Sequence, residues 1–194
     1  MDMQEVEKFF DTQAQDWDMR LVRNEESISR ILTNASLGKY MAVLDVACGT
    51  GVLVPDYIER GLDPVYCLDI SGEMIKVAKA KFPGTEVKFV CDNPCSYEPG
   101  RKFDRIIIFN AFCHFPEPEK LIAHLSKLLK KNGMLVVAQD LSRQELNAYH
   151  AKYATNESIE LMPAEELKEL FEKYLRVTTC IDDEQMYQVC GKKR

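Results

Sequence analysis

Short apolar runs alternate with stretches whose apolar residues recur at helical spacing, and this alternation limits the folds open to the chain. The runs are "MAVLDVA" (41–47), "PVYCLDI" (64–70), "EVKFVCD" (86–92), "FDRIIIFN" (103–110) and "GMLVVAQD" (133–140). Each is short, rich in β-formers and bounded by Gly, Pro or Asp, as strands are. Between them "VPDYIERG", "GEMIKVAKAKF" and "PEKLIAHLSKLLKKNG" read as helices, the last closing on Gly133 as a C-cap. Strands joined by helices predict an α/β fold with a mostly parallel sheet covered on both faces, because right-handed crossovers place the helices there.

The ends follow a different pattern. Residues 3–33 predict one or two amphipathic helices, and 142–175 two more. Ser142 and Glu145 form a capping box; Pro163 stands at the first turn of a helix that keeps Leu167, Leu170, Phe171 and Tyr174 on one side. "RVTTCI" and "MYQVCGK", separated by "DDEQ", predict a C-terminal antiparallel hairpin. No repeat or linker divides the 194 residues, which suffice for one core. The expected organisation is therefore one domain over 1–194: a helical cover (1–35), a ligand-binding core (36–140), a helical insert (141–175) and the hairpin (176–194).

A net charge of −6 with no broad basic stretch argues against nucleic acid as partner. The acidic N-terminus does not read as a secretory signal, and no apolar run approaches the ~20 residues that span a bilayer. Seven scattered cysteines predict reduced thiols and a cytoplasmic location, and the C-x3-C pair Cys91 and Cys95 lacks the further ligands of a metal site.

The segment "DVACGTGVLV" carries G-x-G at Gly49 and Gly51, but Val54 replaces the third glycine of a dinucleotide fingerprint. Alone this is a weak signal. Asp69, about 20 residues on at the end of the next strand, adds the acid that takes ribose hydroxyls. Asp45 beside the turn would repel a pyrophosphate and favour a positively charged ligand, and no G-K-[ST] follows for a P-loop. A zwitterionic nucleoside fits better than NAD, with a nicotinamide-dependent oxidoreductase as the enzymatic alternative.

At these residues the sequence resembles the class I S-adenosylmethionine-dependent methyltransferases, particularly the UbiE/COQ5-like subgroup. The matching segments are "VLDVACGTG", "CLDISGEMIKVAK", "VKFVCDN", the block from "FDRIIIFNAFCHF" to "MLVVAQD" and the opening "FFDTQAQDWD", which together span most of 9–140. The resemblance implies a Rossmann-like fold with a seven-stranded sheet, and S-adenosylmethionine as cofactor with S-adenosylhomocysteine as product. It implies that Asp45, Ala47, Cys48, Gly49, Thr50 and Gly51 surround the methionine part, and Asp69 the ribose. Ile70 and Met74 would flank the adenine, Asp92 with Asn93 its amino group, and Asn110 and Ala111 the cofactor's far side. Trp17 reads either as a lid contact or as a packing residue, and Asp92 either as a ligand or as part of a turn.

His114, after the fourth strand, is the candidate base, with a loop-structural role as its alternative. Arg143, Asn147 and His150 form a polar stripe that is either a solvated face or a substrate contact, and His114, Asp140 and His150 together suggest a divalent metal only if they converge. The short insert favours a small-molecule acceptor, and the subgroup's quinone precursors do not transfer as substrates. A monomer or homodimer without membrane insertion is expected. A non-catalytic cofactor-binding partner protein is the non-enzymatic alternative.

Overall fold

A computed structural model describes residues 2–153 and 158–194. The chain opens with α1 (Met3–Gln13), whose first turn is closed by a capping box between Asp2 and Glu5. A 3₁₀ turn leads into α2 (Trp17–Arg20), and α3 (Glu25–Asn34) follows. The alternating region then supplies β1 (Val43–Val46), α4 (Val54–Glu59), β2 (Val65–Asp69), α5 (Gly72–Lys81), β3 (Lys88–Cys91) and β4 (Phe103–Phe109). It continues through a 3₁₀ turn at Phe112–His114 into α6 (Pro118–Leu128) and β5 (Leu129–Gln139). The end of the chain supplies α7 (Arg143–Tyr153), α8 (Ala164–Glu172), β6 (Arg176–Asp182) and β7 (Tyr187–Lys192).

The seven strands form one sheet in the order β3-β2-β1-β4-β5-β7-β6. The first five are parallel, and β7 inserts antiparallel between β5 and β6, as the hairpin expectation requires. The chain runs outward from β1 to β3 and returns at β4. The carboxyl ends of β1 and β4 therefore diverge at a topological switch point, where open α/β sheets form their ligand crevice.

Both faces of the sheet are buried, which accounts for the unbroken apolar runs. Leu44, Val46, Ile106, Ile108, Leu135 and Val137 face one core with Leu121 and Leu125 of α6 and Phe171 of α8. Val43, Cys67, Ile107 and Val136 face the other, with Ile28 and Ile31 of α3, Tyr57 of α4 and Ile75 of α5. The period-2 alternation along β1, β4 and β5 divides each strand between these layers. Among the described residues no helix is long and apolar enough to cross a membrane.

One boundary differs from the sequence reading. The helix expected over 118–133 ends at Leu128, and β5 begins at Leu129, which pairs with Phe103. Asn132, not Gly133, takes the left-handed conformation, at φ 63°. Gly133 is needed for another reason: a Cβ there would lie 2.9 Å from the Phe103 carbonyl oxygen. The helical spacing of the leucines was correct, but Leu129 gains its burial in the sheet, and the "KKN" segment bulges out beside it.

At Gly191 of β7 a Cβ would come within 2.6 Å of Cδ1 of Phe171 and 2.9 Å of Cβ of Leu175, so α8 lies against bare backbone. Gly191→Ala is expected to destabilise the fold by about 1–3 kcal/mol, the usual cost of overpacking. Urea unfolding should show a lower midpoint at unchanged slope, and an unchanged midpoint would mean that α8 yields freely.

Candidate functional site

The cleft at the switch point is built on the turn that follows β1. Ala47, Gly49 and Gly51 take positive φ values of 56°, 55° and 83°. These left-handed residues turn the main chain so that Cys48 N donates to Leu68 O and Gly51 N to Cys48 O. Ala47, Cys48, Gly49 and Thr50 line a cleft of about 780 Å³, its mouth included, together with Ile70, Met74, Asn110 and Ala111. Gly51 lies behind the turn, and its own reason for being glycine is packing: a Cβ would stand 2.9 Å from the Phe82 ring.

Two carboxyl groups are buried at the strand ends. Asp69 Oδ2 accepts from Gly49 N at 2.8 Å and Oδ1 from Ser71 N at 2.9 Å, so the end of β2 is tied both to the glycine turn and to the start of α5. Burial raises its pKa to about 6, while the amide bonds from Ser71, Gly49 and Ile70 pull it down. Asp45, expected beside the methionine part, is buried more deeply, beneath the turn, and is not itself part of the cleft lining. Burial pushes its pKa up to about 8, with the Tyr57 hydroxyl opposing and the Asp69 charge adding to the rise. Tyr57 stands close enough to influence this carboxyl, yet neither its hydroxyl nor Asp45 Oδ2 has a partner at good hydrogen-bond geometry.

The N-terminal helices close the cleft. Phe10 of α1 meets Trp17 edge-on at 5.6 Å between ring centroids and His114 at 4.9 Å. All three rings line the cleft, so Trp17 both packs and faces the ligand space. Two acids that the sequence reading did not single out hold this cover down. Asp11 Oδ1 accepts from Ser71 Oγ at 2.6 Å and from Glu73 N at 3.2 Å, at the start of α5. Asp18 accepts from Thr50 Oγ1 at 2.6 Å and pairs with Lys81 Nζ at 2.7 Å. Both stand in the quoted "FFDTQAQDWD", but their partners are distant in sequence, and spacing alone does not reveal them.

Other expected residues take different positions. Asp92 and Asn93 form a turn outside the cleft lining: Asp92 N donates to Asp69 O, Asp92 Oδ1 accepts from Asn93 N, and Pro94 provides the wall. The polar stripe divides, because Arg143 and Asn147 find partners of their own. Arg143 pairs with Asp182 at 2.7 Å, and Asn147 bonds the Leu161 backbone through both its amide atoms. Only His150 points toward the site, its ring 6.2 Å from that of His114. Asp140 does not join them. Its Oδ1 accepts from Asn110 Nδ2 at 2.7 Å, Asn110 Oδ1 accepts from Asp140 N at 3.0 Å, and the pair locks the ends of β4 and β5 together. No group of three or more His, Cys, Asp or Glu among the described residues is placed to hold a metal, and Cys91 and Cys95 are exposed free thiols.

Comparison with known proteins agrees with this geometry. Residues 43–133 match the model of a family described as a methyltransferase domain. The demethylmenaquinone methyltransferase of Renibacterium salmoninarum is 36% identical over 98 residues, half of this chain and 40% of that protein. The chain spans less than half the length of the first curated relatives it matches. Among solved structures, the methyltransferase complexed with the Trm112 activator of Haloferax volcanii superposes with a TM-score of 0.82 at 17% identity, over 97% of each chain. Magnesium protoporphyrin IX methyltransferase from Synechocystis, solved with bound S-adenosylhomocysteine, gives 0.73 at 16% identity over the whole of both chains. These two likenesses establish the seven-stranded fold.

If Asp11 and Asp18 latch the cover, the double substitution Asp11→Ala, Asp18→Ala frees it without unfolding the sheet. Each lost charge-assisted bond costs about 1.5–3 kcal/mol locally. Amide hydrogen exchange in residues 3–20 should accelerate at least tenfold while that of β4 and β5 stays unchanged, and equal protection in both regions would refute the latch.

Proposed function

Because this chain belongs to the class I S-adenosylmethionine-dependent methyltransferase family, we propose that it binds S-adenosylmethionine in the cleft and transfers the methyl group to a small-molecule acceptor. The observation that carries this reading is the left-handed turn through Ala47 and Gly49 with Asp69 in the cleft lining and Asp45 buried beneath it. Asp45 Oδ2 is out of water without a hydrogen-bond partner, the setting in which a cationic amino group is favoured. A pyrophosphate would meet Asp69 in the lining with Asp45 beneath the turn, and this argues against a nicotinamide dinucleotide.

The residues present suit the group. Asp69 keeps lone pairs beyond its two amide bonds and would receive the ribose hydroxyls. The backbone of Ala47, Cys48, Gly49 and Thr50 would follow the methionine portion, where left-handed φ brings main chain rather than side chain to the ligand. Ile70, Met74 and Pro94 would enclose the adenine. Asp92 and Asn93, just outside, would reach its amino group from the turn they form. Asn110 and Ala111 would close the far side, with Asn110 fixed by Asp140.

When bound, S-adenosylmethionine supplies an electrophilic methyl on a sulfonium. The protein's part is then alignment and exclusion of water. Phe10 and Trp17 shield the transfer point from above, and His114 stands beside them as the base that removes an acceptor proton.

Calorimetric titration should show S-adenosylhomocysteine binding and no NAD binding at the same concentration; the reverse pattern would reject the assignment. Asp69→Asn, which keeps the side chain's shape but turns one of its two acceptors into a donor, should weaken S-adenosylhomocysteine at least tenfold, about 1.4 kcal/mol, in protein whose circular dichroism shows the fold retained. Unchanged affinity would remove Asp69 from ribose recognition.

A further inference from the structure

The segment that joins the cover to the rest of the fold is held by a buried carboxyl that the proposed chemistry leaves unused. Residues 21–24 run between α2 and α3 without helical structure, and α3 is fixed in the core by Ile28, Ile31 and Leu32. Leu21 lines the cleft. Arg23 donates to the carbonyl of Val52, another lining residue, and pairs with Asp56 of α4 at 3.0 Å, which ties the segment to the loop after β1. Asn24 ties it to the other side of the crevice, at the end of β5, through Asp140.

Asp140 is 4% exposed and divides its two carboxyl oxygens between separate elements. Oδ1 accepts from Asn110 Nδ2 at 2.7 Å, and Oδ2 accepts from the main-chain N–H of Asn24 at 3.3 Å. The Asp140 main chain repeats both links: its N donates to Asn110 Oδ1 at 3.0 Å, and its O accepts from Asn24 Nδ2 at 3.3 Å. Burial raises the pKa of this carboxyl, and the bonds from Asn110 and Asn24, with the charge of Arg23, oppose the rise.

The two partners have different tasks. Asn110 lines the cleft after β4 in the left-handed region, at φ 52°, a conformation that Asn tolerates and that the paired bonds to Asp140 hold in place. Asn24 caps α3, accepting from Ser27 N at 3.1 Å, and marks where the chain passes from the cover into the core. A carboxylate can accept from both at once. An amide of the same shape offers one acceptor and one donor, so it cannot serve both N–H groups.

We infer that Asp140 is a positioning residue that sets Asn110 in the cleft lining and the root of the cover in one geometry, so that the seat of the cofactor and the enclosure above it are held in register. Asp140 is not among the described residues of the cleft lining and acts through the two asparagines. The Asn110 half rests on the reading that S-adenosylmethionine occupies the cleft; the cover half does not.

The test compares Asp140→Ala and Asp140→Asn with Asp104→Asn. Asp104 likewise joins elements, accepting from Ala42 N at 2.8 Å and from Lys130 Nζ at 2.7 Å, but at the start of β4 rather than beyond its end. Calorimetry reads S-adenosylhomocysteine affinity, acrylamide quenching of Trp17, the chain's single tryptophan, reads the cover in the free protein, and urea unfolding reads the cost to the fold. Asp140→Ala should weaken S-adenosylhomocysteine at least about tenfold, the scale of a lost charge-assisted bond, and raise the quenching constant at least about twofold. Asp140→Asn, which serves if Asp140→Ala does not fold, should move both in the same direction, affinity by at least about threefold. In an Asn110→Ala background, Asp140→Ala should change affinity by less than about twofold yet still raise quenching. Asp104→Asn should lower the urea midpoint and leave affinity and quenching unchanged. Equal changes in the Asp140 and Asp104 variants would reduce Asp140 to a structural tie and overturn the inference, as would wild-type affinity and quenching in Asp140→Ala. A wild type that binds no S-adenosylhomocysteine would instead overturn the cofactor reading, and the Asn110 half with it.

Discussion

Asp45 leaves β1 with its carboxyl out of water, and Asp69 leaves β2 with both oxygens bonded to backbone amides. Neither arrangement serves stability. A carboxyl whose pKa is raised on folding, to about 8 for Asp45 and about 6 for Asp69, lowers stability as pH rises from the unfolded value near 4 through those pKa values. Stability from these groups is thus greatest in acid and is lost progressively toward neutral pH. Two such groups under one turn carry a stability penalty of the kind that functional sites concentrate.

The glycine turn, the sheet and the cover all depend on where these acids sit. Parallel pairing of β1 with β2 and β4 brings Asp45, Asp69 and Asn110 to one rim, and reversal of direction after β3 opens the space between them. Left-handed φ at Ala47 and Gly49 folds the main chain over Asp45 and delivers the Gly49 amide to Asp69. From the other side α1 and α2 complete the enclosure. Their acids, Asp11 and Asp18, bond to Ser71 and Thr50 on the same two loops, so the cover is registered directly to the backbone that lines the cleft. Closing the cleft and shaping it are one act in this architecture.

Much of this was legible in the sequence because it is written in local pattern. Apolar runs of strand length separated by helical spacing give the sheet; Ser142 with Glu145 forms the expected capping box; the apolar side of "EELKELF" buries Leu167 and Phe171. The positions of Ala47, Gly49, Asp69, Met74, Asn110, His114 and Trp17 around one cleft follow from their places at strand ends and in the cover. What was not legible depends on partners far along the chain. Arg143 and Asn147 share a helical stripe with His150, but Asp182 and Leu161 claim them, and no periodicity reports a partner in a later hairpin or loop. Asp140 looked available for a metal until Asn110 occupied it. At Gly133 a turn-forming residue type was read as a helix cap because the Phe103 carbonyl that excludes a side chain comes from another strand.

Burial keeps a proton on Asp45 at neutral pH, and a cationic amino group bound above the turn would draw it off. With a pKa of about 8 the carboxyl is mostly protonated at pH 7, and a neighbouring ammonium would drive it well below that value. Titration of S-adenosylhomocysteine at pH 7 in phosphate and in Tris, buffers of very different ionisation enthalpy, measures the protons exchanged on binding. The predicted result is release of about one proton per site in the wild type and none in Asp45→Asn. Equal binding enthalpies in the two buffers for the wild type would contradict it.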